Sequence, residues 1–488
     1  MQTDILIIGA GVVGCALARV LGRYEADITV AEAGPDVASG ATRANSGIVH
    51  AGFDAHPGTL KAELNVRGAE LYPALARELG FPYSQCGALV LGFTAEDEET
   101  LRTLLHQGEA NGVPGVRLLT REETLALEPN TNPEVRCALY APTSGITSPY
   151  EAAYALADHA ALCGVRFLMN SRVQRVFRGE DGLWHAVLPT VEIACRVLVN
   201  CAGMGSADIH NSLCDKKLTL IPRRGQYHLL DRLEKLPFSR TMFQCPTKMG
   251  KGVLVSPTVH GNLLLGPSAE DIDDPQDVST TAEGLEGVLE TCRLTWPQAS
   301  VRGDITNFAG IRAHEVNGDF IIGAVPGQTA CYETVGIESP GLSAAPAIAE
   351  RLGAQIAGDC ALVPKAEVSA PVPLPRRFAE MTDEERARAV AEDPAYGNVI
   401  CRCEVVTEAE IRQAIRRPVG ACSIDAVKRR TRAGMGRCQG GFCSPRVMEI
   451  LCEELGVSPL EITKCGGESK LLVGTLHQIA KEARPDEK

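Results

Sequence analysis

The chain opens with an apolar run, Ile5 to Ile8, then Gly9-x-Gly11-x-x-Gly14 and an amphipathic stretch with Ala18 and Leu21 at helical spacing. A second apolar run, Ile28 to Ala31, ends in Glu32. Short runs that are apolar throughout predict buried strands, and the stretch between them predicts a crossing helix. Further on, "GQYHLL", "GVLVSP" and "GNLLLGP" read as strands and "EDEETLRTLLHQGEANG" as a helix. "RVLVNCAGMGS" (196–206) reads as an apolar strand closed by a glycine turn. "FAGIRAHEVNGDFIIGAV" and "VGIESPGLSAAPAIAERL" predict a strand, a turn and a helix beginning near Ser343. From 366 to 398 the chain is proline-rich and then charged, the pattern of a linker and a short solvated helix. No internal repeat is evident. The pattern predicts a Rossmann-like α/β unit, discontinuous in sequence, with an α+β part inserted into it.

Each piece of the opening motif has a physical task. Gly9 permits the tight turn, Gly11 lets the backbone approach a pyrophosphate, and Gly14 lets helix and strand pack closely. The helix N-terminus offers free N–H groups and a positive dipole end to phosphate. Glu32, at the end of the second strand, can accept both ribose hydroxyls and repels a 2′-phosphate. A glycine-rich turn without a ligand is the competing reading, but strand, helix and acid together favour a dinucleotide. The motif alone does not separate NAD from FAD.

Length and composition narrow the classes. With 488 residues, 45% hydrophobic and 22% charged, the chain is expected to be a soluble globular protein of two to four domains. A net charge of -13 disfavours nucleic acid as a partner. No apolar run of about 18 residues predicts a transmembrane segment, and the first residues lack a basic export region, so a cytoplasmic location is expected. The 18 cysteines are then thiols, and single ones such as Cys86, Cys137, Cys163 and Cys245 read as small buried hydrophobes.

Three later segments favour FAD. "SGATRANSGIVHAGF" (39–53) is rich in small polar groups that suit a pyrophosphate and flavin channel; the strand closed at Gly203 can lay backbone on a dinucleotide; and a helix beginning near Ser343 can aim its dipole at the flavin. On these motifs, residues 1 to about 365 resemble the FAD-dependent D-amino-acid oxidase-like superfamily. Within it, "NSGIVHAGFDAHPGTLKAELNVRGAELY" is similar to the L-2-hydroxyglutarate dehydrogenases and the anaerobic glycerol-3-phosphate dehydrogenases. The resemblance implies an FAD-binding domain of glutathione reductase type at 1–80, 150–215 and 306–365, and a substrate domain at 81–149 and 216–305. It implies cofactor contacts at Gly9, Gly11, Gly14, Glu32 and Ala33. To these it adds Thr42, Arg43, Asn45 and Ser46 in the polar loop, Val173 and Gly203 near the nucleotide, and Gly310, Gly341, Leu342 and Ser343 near the flavin.

The implied chemistry is oxidation of a carbon bearing OH or NH2, which needs a base, an anchor for the substrate's anionic group and exclusion of water. His50, in the loop expected beneath the flavin, is the candidate base, since imidazole titrates near working pH. His314 is its rival, and a hydrogen-bonded structural role is the alternative for His50. Arg312, on a strand returning to the flavin, is the candidate clamp because a planar guanidinium grips carboxylate or phosphate at two points. Arg224 and Tyr227 are candidate supports, with a solvated strand edge as the alternative.

A different kind of segment follows the linker. Cys401-x-Cys403 and Cys438-x4-Cys443 are separated by 34 residues. Two readings compete. Structural zinc takes four thiolates, but its usual knuckle is C-x2-C. Glycines 440 and 441 can turn backbone N–H groups toward sulfur, as an iron–sulfur cluster needs. Residues 401–450 hold ten Lys and Arg against five Asp and Glu, a local +5 that offsets an anionic cluster. The spacing and "GRCQGGFCSP" resemble the bacterioferritin-associated ferredoxin-like [2Fe-2S] module, which implies a small helical domain at 399–455 and a tail at 456–488. Cys422, Cys452 and Cys465 fall outside the four-ligand pattern.

The expectation is an FAD-dependent dehydrogenase of a small anionic hydroxy compound, with the cluster relaying single electrons to a redox partner protein or a second flavoprotein subunit. Peripheral membrane association through that partner fits the same scheme. Glycerol 3-phosphate is the first substrate expected, then L-2-hydroxyglutarate or a related 2-hydroxy acid, then an amino acid. An electron-transfer subunit without its own substrate is the competing class.

Overall fold

A computed structural model describes residues 1–233, 235–246 and 252–476. Residues 234 and 247–251 of the expected substrate part, and 477–488 of the expected tail, lie outside the described residues. The chain divides into two compact units, one of 1–33 with 37–374, the other of 34–36 with the chain from 375 onward.

At the centre of the first unit, β1 (Gln2–Ile8) runs parallel to β2 (Ile28–Ala31) on one side and to Glu192–Asn200 on the other. Ile5, Leu6 and Ile7 expose nothing. A strand covered on both faces is apolar at every position, which explains the unbroken run. Arg166–Leu168 and Cys331–Val335 continue the parallel set, and three antiparallel strands complete it, eight strands among the described residues. α1 (Val12–Leu21) crosses from β1 to β2 and packs on helices Pro149–Leu162 and Gly341–Asp359.

A second sheet, nine-stranded among the described residues, gathers Ala88–Gly92, Cys137–Ala141, Thr241–Gln244, Leu254–Pro257, Leu263–Gly266 and their neighbours. Leu89, Met242, Val255 and Leu265 form its core, covered through Val288 and Cys292 of helix Ala282–Thr295. Strand Asp304–Glu315, expected with the dinucleotide part, belongs to this second sheet. It pairs antiparallel with the whole of Leu220–Leu230, and that ladder fixes its place. A small sheet of β3 (Ile48–Val49), Gly145–Thr147 and Tyr83–Ser84 carries the chain into α2 (Leu60–Leu79). The fold is thus the expected α/β unit with an interleaved α+β part.

The second unit is small and helical. A hairpin of Val399–Cys401 and Val406–Thr407 leads into helices Glu408–Arg416, Ile424–Thr431 and Ser444–Leu455. Thr407 and Glu410 close a capping box at the first helix, and Ser423 caps the second. Ile411, Ala421, Val427, Val447, Ile450 and Leu451 make the core. The preceding helix, Asp383–Glu392, has no buried residue, as its charged sequence predicts. Among the described residues no helix is long and apolar enough to cross a membrane.

Candidate active site and cysteine centre

The glycine motif forms the crevice its spacing predicts. Gly9 adopts φ +101°, and a Cβ there would lie 2.4 Å from the Cys201 carbonyl oxygen. A Cβ on Gly14 would lie 2.0 Å from the Gly9 oxygen. Only glycine fits at either place, so α1 starts close against β1. Gly11 caps that helix without a side-chain bond, and its first turn holds no acidic residue. The start of α1 therefore presents N–H groups and a positive dipole end, as a pyrophosphate requires. The Thr42 hydroxyl accepts the Val12 N–H at 3.0 Å, bringing the polar loop over that helix start. Glu32 lies one residue past β2 and accepts the Ala10 N–H at 2.7 Å. Gly203 (φ +58°) has open space where a Cβ would project.

The rest of the loop is held by its own side chains. Asn45 donates to the carbonyls of Ala41 and Thr42 and accepts the Gly47 N–H. Arg43 and Ala33 are exposed, and Val173 packs against the core of the first sheet. Gly310 touches this loop directly, because a Cβ there would sit 1.9 Å from the Ala44 carbonyl oxygen. These tight glycines and the open helix starts form a cradle that fits FAD.

On strand Leu220–Leu230 side chains alternate, and its register with Asp304–Glu315 sets Arg223 opposite Arg312 and Tyr227 opposite Phe308. Tyr227 and Arg312 therefore share one face. Tyr227 stacks on Phe308 at 4.8 Å and lies 3.4 Å from the Ser46 hydroxyl. Burial pushes the Tyr227 hydroxyl up, and the Arg312 charge pulls it part of the way back. Arg312 also donates to the Ser268 carbonyl at 2.7 Å. Arg224 points to the opposite face, where Glu270 at 2.8 Å and Asp277 at 2.7 Å occupy its guanidinium. The alternation of the strand thus parts Arg224 from Tyr227 and Arg312.

His50 follows β3 and is buried, its ring 5.7 Å from that of Phe243. Its N–H donates to the Ser343 hydroxyl at 2.8 Å, and Ser343 bonds in turn to the Ile48 carbonyl. This staple joins the His50 loop to the start of helix Gly341–Asp359, which begins two residues before Ser343, has no side-chain cap and has no acid in its first turn. Tyr72 donates to the Leu342 carbonyl. His314 lies instead in a network with Glu338 (2.9 Å), which also pairs with Lys61 (2.8 Å). Burial alone would raise the Glu338 carboxyl, but Lys61 and His314 outweigh it and hold it below its ordinary value. His314 is thereby engaged with a carboxylate.

Sequence reasoning missed Asn65 and Gly68 on α2. Asn65 exposes nothing, and neither atom of its amide has a hydrogen-bond partner among the described residues. A Cβ on Gly52, two residues past His50, would lie 2.9 Å from the Asn65 amide nitrogen. A Cβ on Gly68 would lie 1.9 Å from the Ser343 carbonyl oxygen. One signal was available: Asn65 and Gly68 share the helical spacing of Ala62, Ala69 and Tyr72, where a buried face calls for apolar bulk.

In the second unit the four cysteines come together as two pairs. Cys403 and Cys438 have their sulfurs 3.7 Å apart, and Cys401 hydrogen-bonds Cys443. Each pair takes one residue from each motif. That hydrogen bond pulls the Cys401 thiol down to about 6 and pushes Cys443 up. Burial alone would raise Cys438, but the Gly440 N–H, the Cys403 thiol and the N–H groups of Phe442 and Gly441 bring it below the usual thiol range. Backbone N–H groups therefore do face sulfur. Cys443 opens helix Ser444–Leu455, whose first turn has no acid, so a positive helix end meets the thiolates. Two thiolates for each of two irons is the donor set of a [2Fe-2S] cluster, and the residues fit it.

The profile of the FAD dependent oxidoreductase family (DAO) matches residues 4–355, and that of the BFD-like [2Fe-2S] binding domain matches 399–453. The chain is 44% identical over 473 residues to a glycerol 3-phosphate dehydrogenase of Caloramator mitchellensis, covering 96% of this chain and 98% of that protein. It is 32% identical to a glycerol 3-phosphate oxidase of Mycoplasma pneumoniae, over 71% of this chain and 93% of the other. The dithionite-reduced L-alpha-glycerophosphate oxidase of Mycoplasma pneumoniae, with FAD bound, superposes with a TM-score of 0.73 at 29% identity, covering 77% of this chain and all of the other.

Proposed function

Because the chain belongs to the FAD dependent oxidoreductase family and carries a BFD-like [2Fe-2S] binding domain, we propose that it oxidises glycerol 3-phosphate. The reaction is the conversion of the secondary alcohol to dihydroxyacetone phosphate, with release of two electrons and two protons. The observation that carries this reading is the similarity to a glycerol 3-phosphate dehydrogenase across 96% of the chain, a span that reaches into the cysteine module. The oxidase relative covers 71% of the chain. FAD supplies a two-electron acceptor when bound, and the cluster supplies a one-electron carrier.

The residues have separable roles. Arg312 binds the phosphate through its guanidinium and is held by the Ser268 carbonyl. Tyr227 and Ser46, together on that side, orient the substrate. His50 accepts the hydroxyl proton, and its backbone bond to Ser343 keeps the imidazole at the start of the flavin-side helix. The buried surroundings of His50 and Phe243 exclude water from the reacting carbon. Electrons leave singly to a partner protein or second flavoprotein subunit, and the cytoplasm is the proposed location.

The test is anaerobic. Glycerol 3-phosphate, 2-hydroxyglutarate and amino acids are offered separately, and bleaching of the flavin absorbance is followed. Bleaching by glycerol 3-phosphate, then cluster reduction, is expected. His50→Asn is expected to slow single-turnover bleaching about 10²–10⁴-fold with FAD still bound, and Arg312→Ala to raise the substrate concentration needed. Wild-type bleaching kinetics in both variants would refute the roles given to His50 and Arg312, whereas a wild-type protein bleached by none of these compounds would be an electron-transfer subunit without its own substrate.

A further inference from the structure

We propose that the surface of Arg402, Cys403, Val405 and Phe442 is the docking face for a small acidic protein that takes electrons from the cluster one at a time. This deepens the function proposed above and rests on it.

Phe442 is 89% exposed although it sits between Gly441 and the buried ligand Cys443. Its orientation is imposed by the loop, because its own N–H is turned to the Cys438 sulfur. Cys438 in turn lies 3.7 Å from Cys403, which is itself exposed. Val405, two residues on from Cys403, is 37% exposed and adopts φ +53°, a region that a β-branched residue rarely takes. An aromatic ring and an aliphatic side chain are thus presented to solvent beside a cluster ligand. Such an apolar centre at a redox outlet suits a transient protein contact, in which a short path between centres matters more than area.

Charge identifies the kind of partner. Of the local cations, Arg412, Arg416, Arg432 and Arg446 are spent on carboxylates of the same unit. Arg402 is exposed and makes no ion pair among the described residues. The acid nearest in sequence, Glu404, is buried against Arg432. The face therefore offers apolar side chains and the unpaired cation of Arg402, on a chain whose net charge is -13. An anionic protein is attracted to this face and repelled elsewhere, which orients the encounter. Each substrate oxidised reduces two equivalents of the one-electron acceptor and releases two protons.

The experiment uses the holoenzyme with glycerol 3-phosphate as donor. The acceptors are the soluble domain of ferric cytochrome b5 (acidic), ferric cytochrome c (basic) and the dye dichlorophenolindophenol. Cytochrome b5 reduction is expected to fall with ionic strength and to exceed that of cytochrome c. Phe442→Ser and Arg402→Gln are each expected to slow it about tenfold, with iron content, cluster EPR signal and dye reduction unchanged. A salt-insensitive wild-type rate, or wild-type cytochrome b5 rates in both variants, overturns the docking face. If glycerol 3-phosphate bleaches no flavin, the activity assignment has failed instead. Stoichiometric dithionite-reduced enzyme then serves as the electron source for the same comparison.

Discussion

Gly310→Ala tests how the candidate site is held together. Gly310 faces Gly225 across the two-stranded ladder. A Cβ at 310 would lie 1.9 Å from the Ala44 oxygen and 3.1 Å from the Ala44 Cβ. Backbone atoms cannot swing aside, so loop and strand must part by roughly 1 Å in a close-packed interior. The strand carries Arg312 two residues on, and the loop carries Asn45 and Ser46. Overpacking of this kind costs about 1–3 kcal/mol in stability. A misplacement of roughly 1 Å in substrate-positioning groups costs about 10²-fold in turnover. The assays are thermal unfolding, FAD retained after gel filtration, and anaerobic flavin bleaching by glycerol 3-phosphate. Gly287→Ala is the control, since among the described residues no atom beyond its chain neighbours and its own helix backbone lies within 4 Å of that Cβ position; it is expected to stabilise by about 0.5–1 kcal/mol. A Gly310→Ala protein with wild-type FAD content, melting temperature and bleaching rate would refute the claim that this contact sets the site.

Cys438→Ser is expected to remove iron and sulfide and abolish cytochrome b5 reduction while leaving flavin bleaching intact; bleaching that disappears with the iron would mean the cluster is needed upstream of its proposed place. Glu338 sets a pH dependence. Its carboxyl is lowered in the folded protein from its ordinary 4.5, so its stabilisation is present above that value and is lost as pH falls through the lower folded value. Glu338→Gln is expected to cost about 1.5–3 kcal/mol near neutral pH, with the difference from wild type vanishing in acid. A difference that persists unchanged below pH 4 would show that the Lys61 and His314 pairing is not its source.

Local physics made much of the chain legible. The run Ile5 to Ile8, the glycines at 9 and 14, and Glu32 each meet a local demand: burial on both faces, a positive φ or close approach, and a strand end. The two cysteine motifs were legible as short spacings, with glycines only in the second, whereas their pairing across motifs came from the fold. The strand at 304–315 was misplaced because a strand's own residues state that it pairs, not with which partner. Arg224 shows the same limit. In sequence it adjoins Arg223 and lies three residues from Tyr227, but a period of two sends it to the other face and into Glu270 and Asp277. Asn65 escaped notice because one polar residue in an amphipathic helix reads as solvent-facing until the helix is packed.

The sequence by itself determined the dinucleotide turn and the two-cofactor organisation, because the glycine motif and the two close cysteine spacings each state a short-range demand. Only the tertiary structure decided that Arg312, Tyr227 and Ser46 meet on one face, that Ser343 is bonded to His50, and that Gly310 must be bare against Ala44. Those contacts join residues tens to hundreds of positions apart. They are set by sheet register and close packing, which no local pattern encodes.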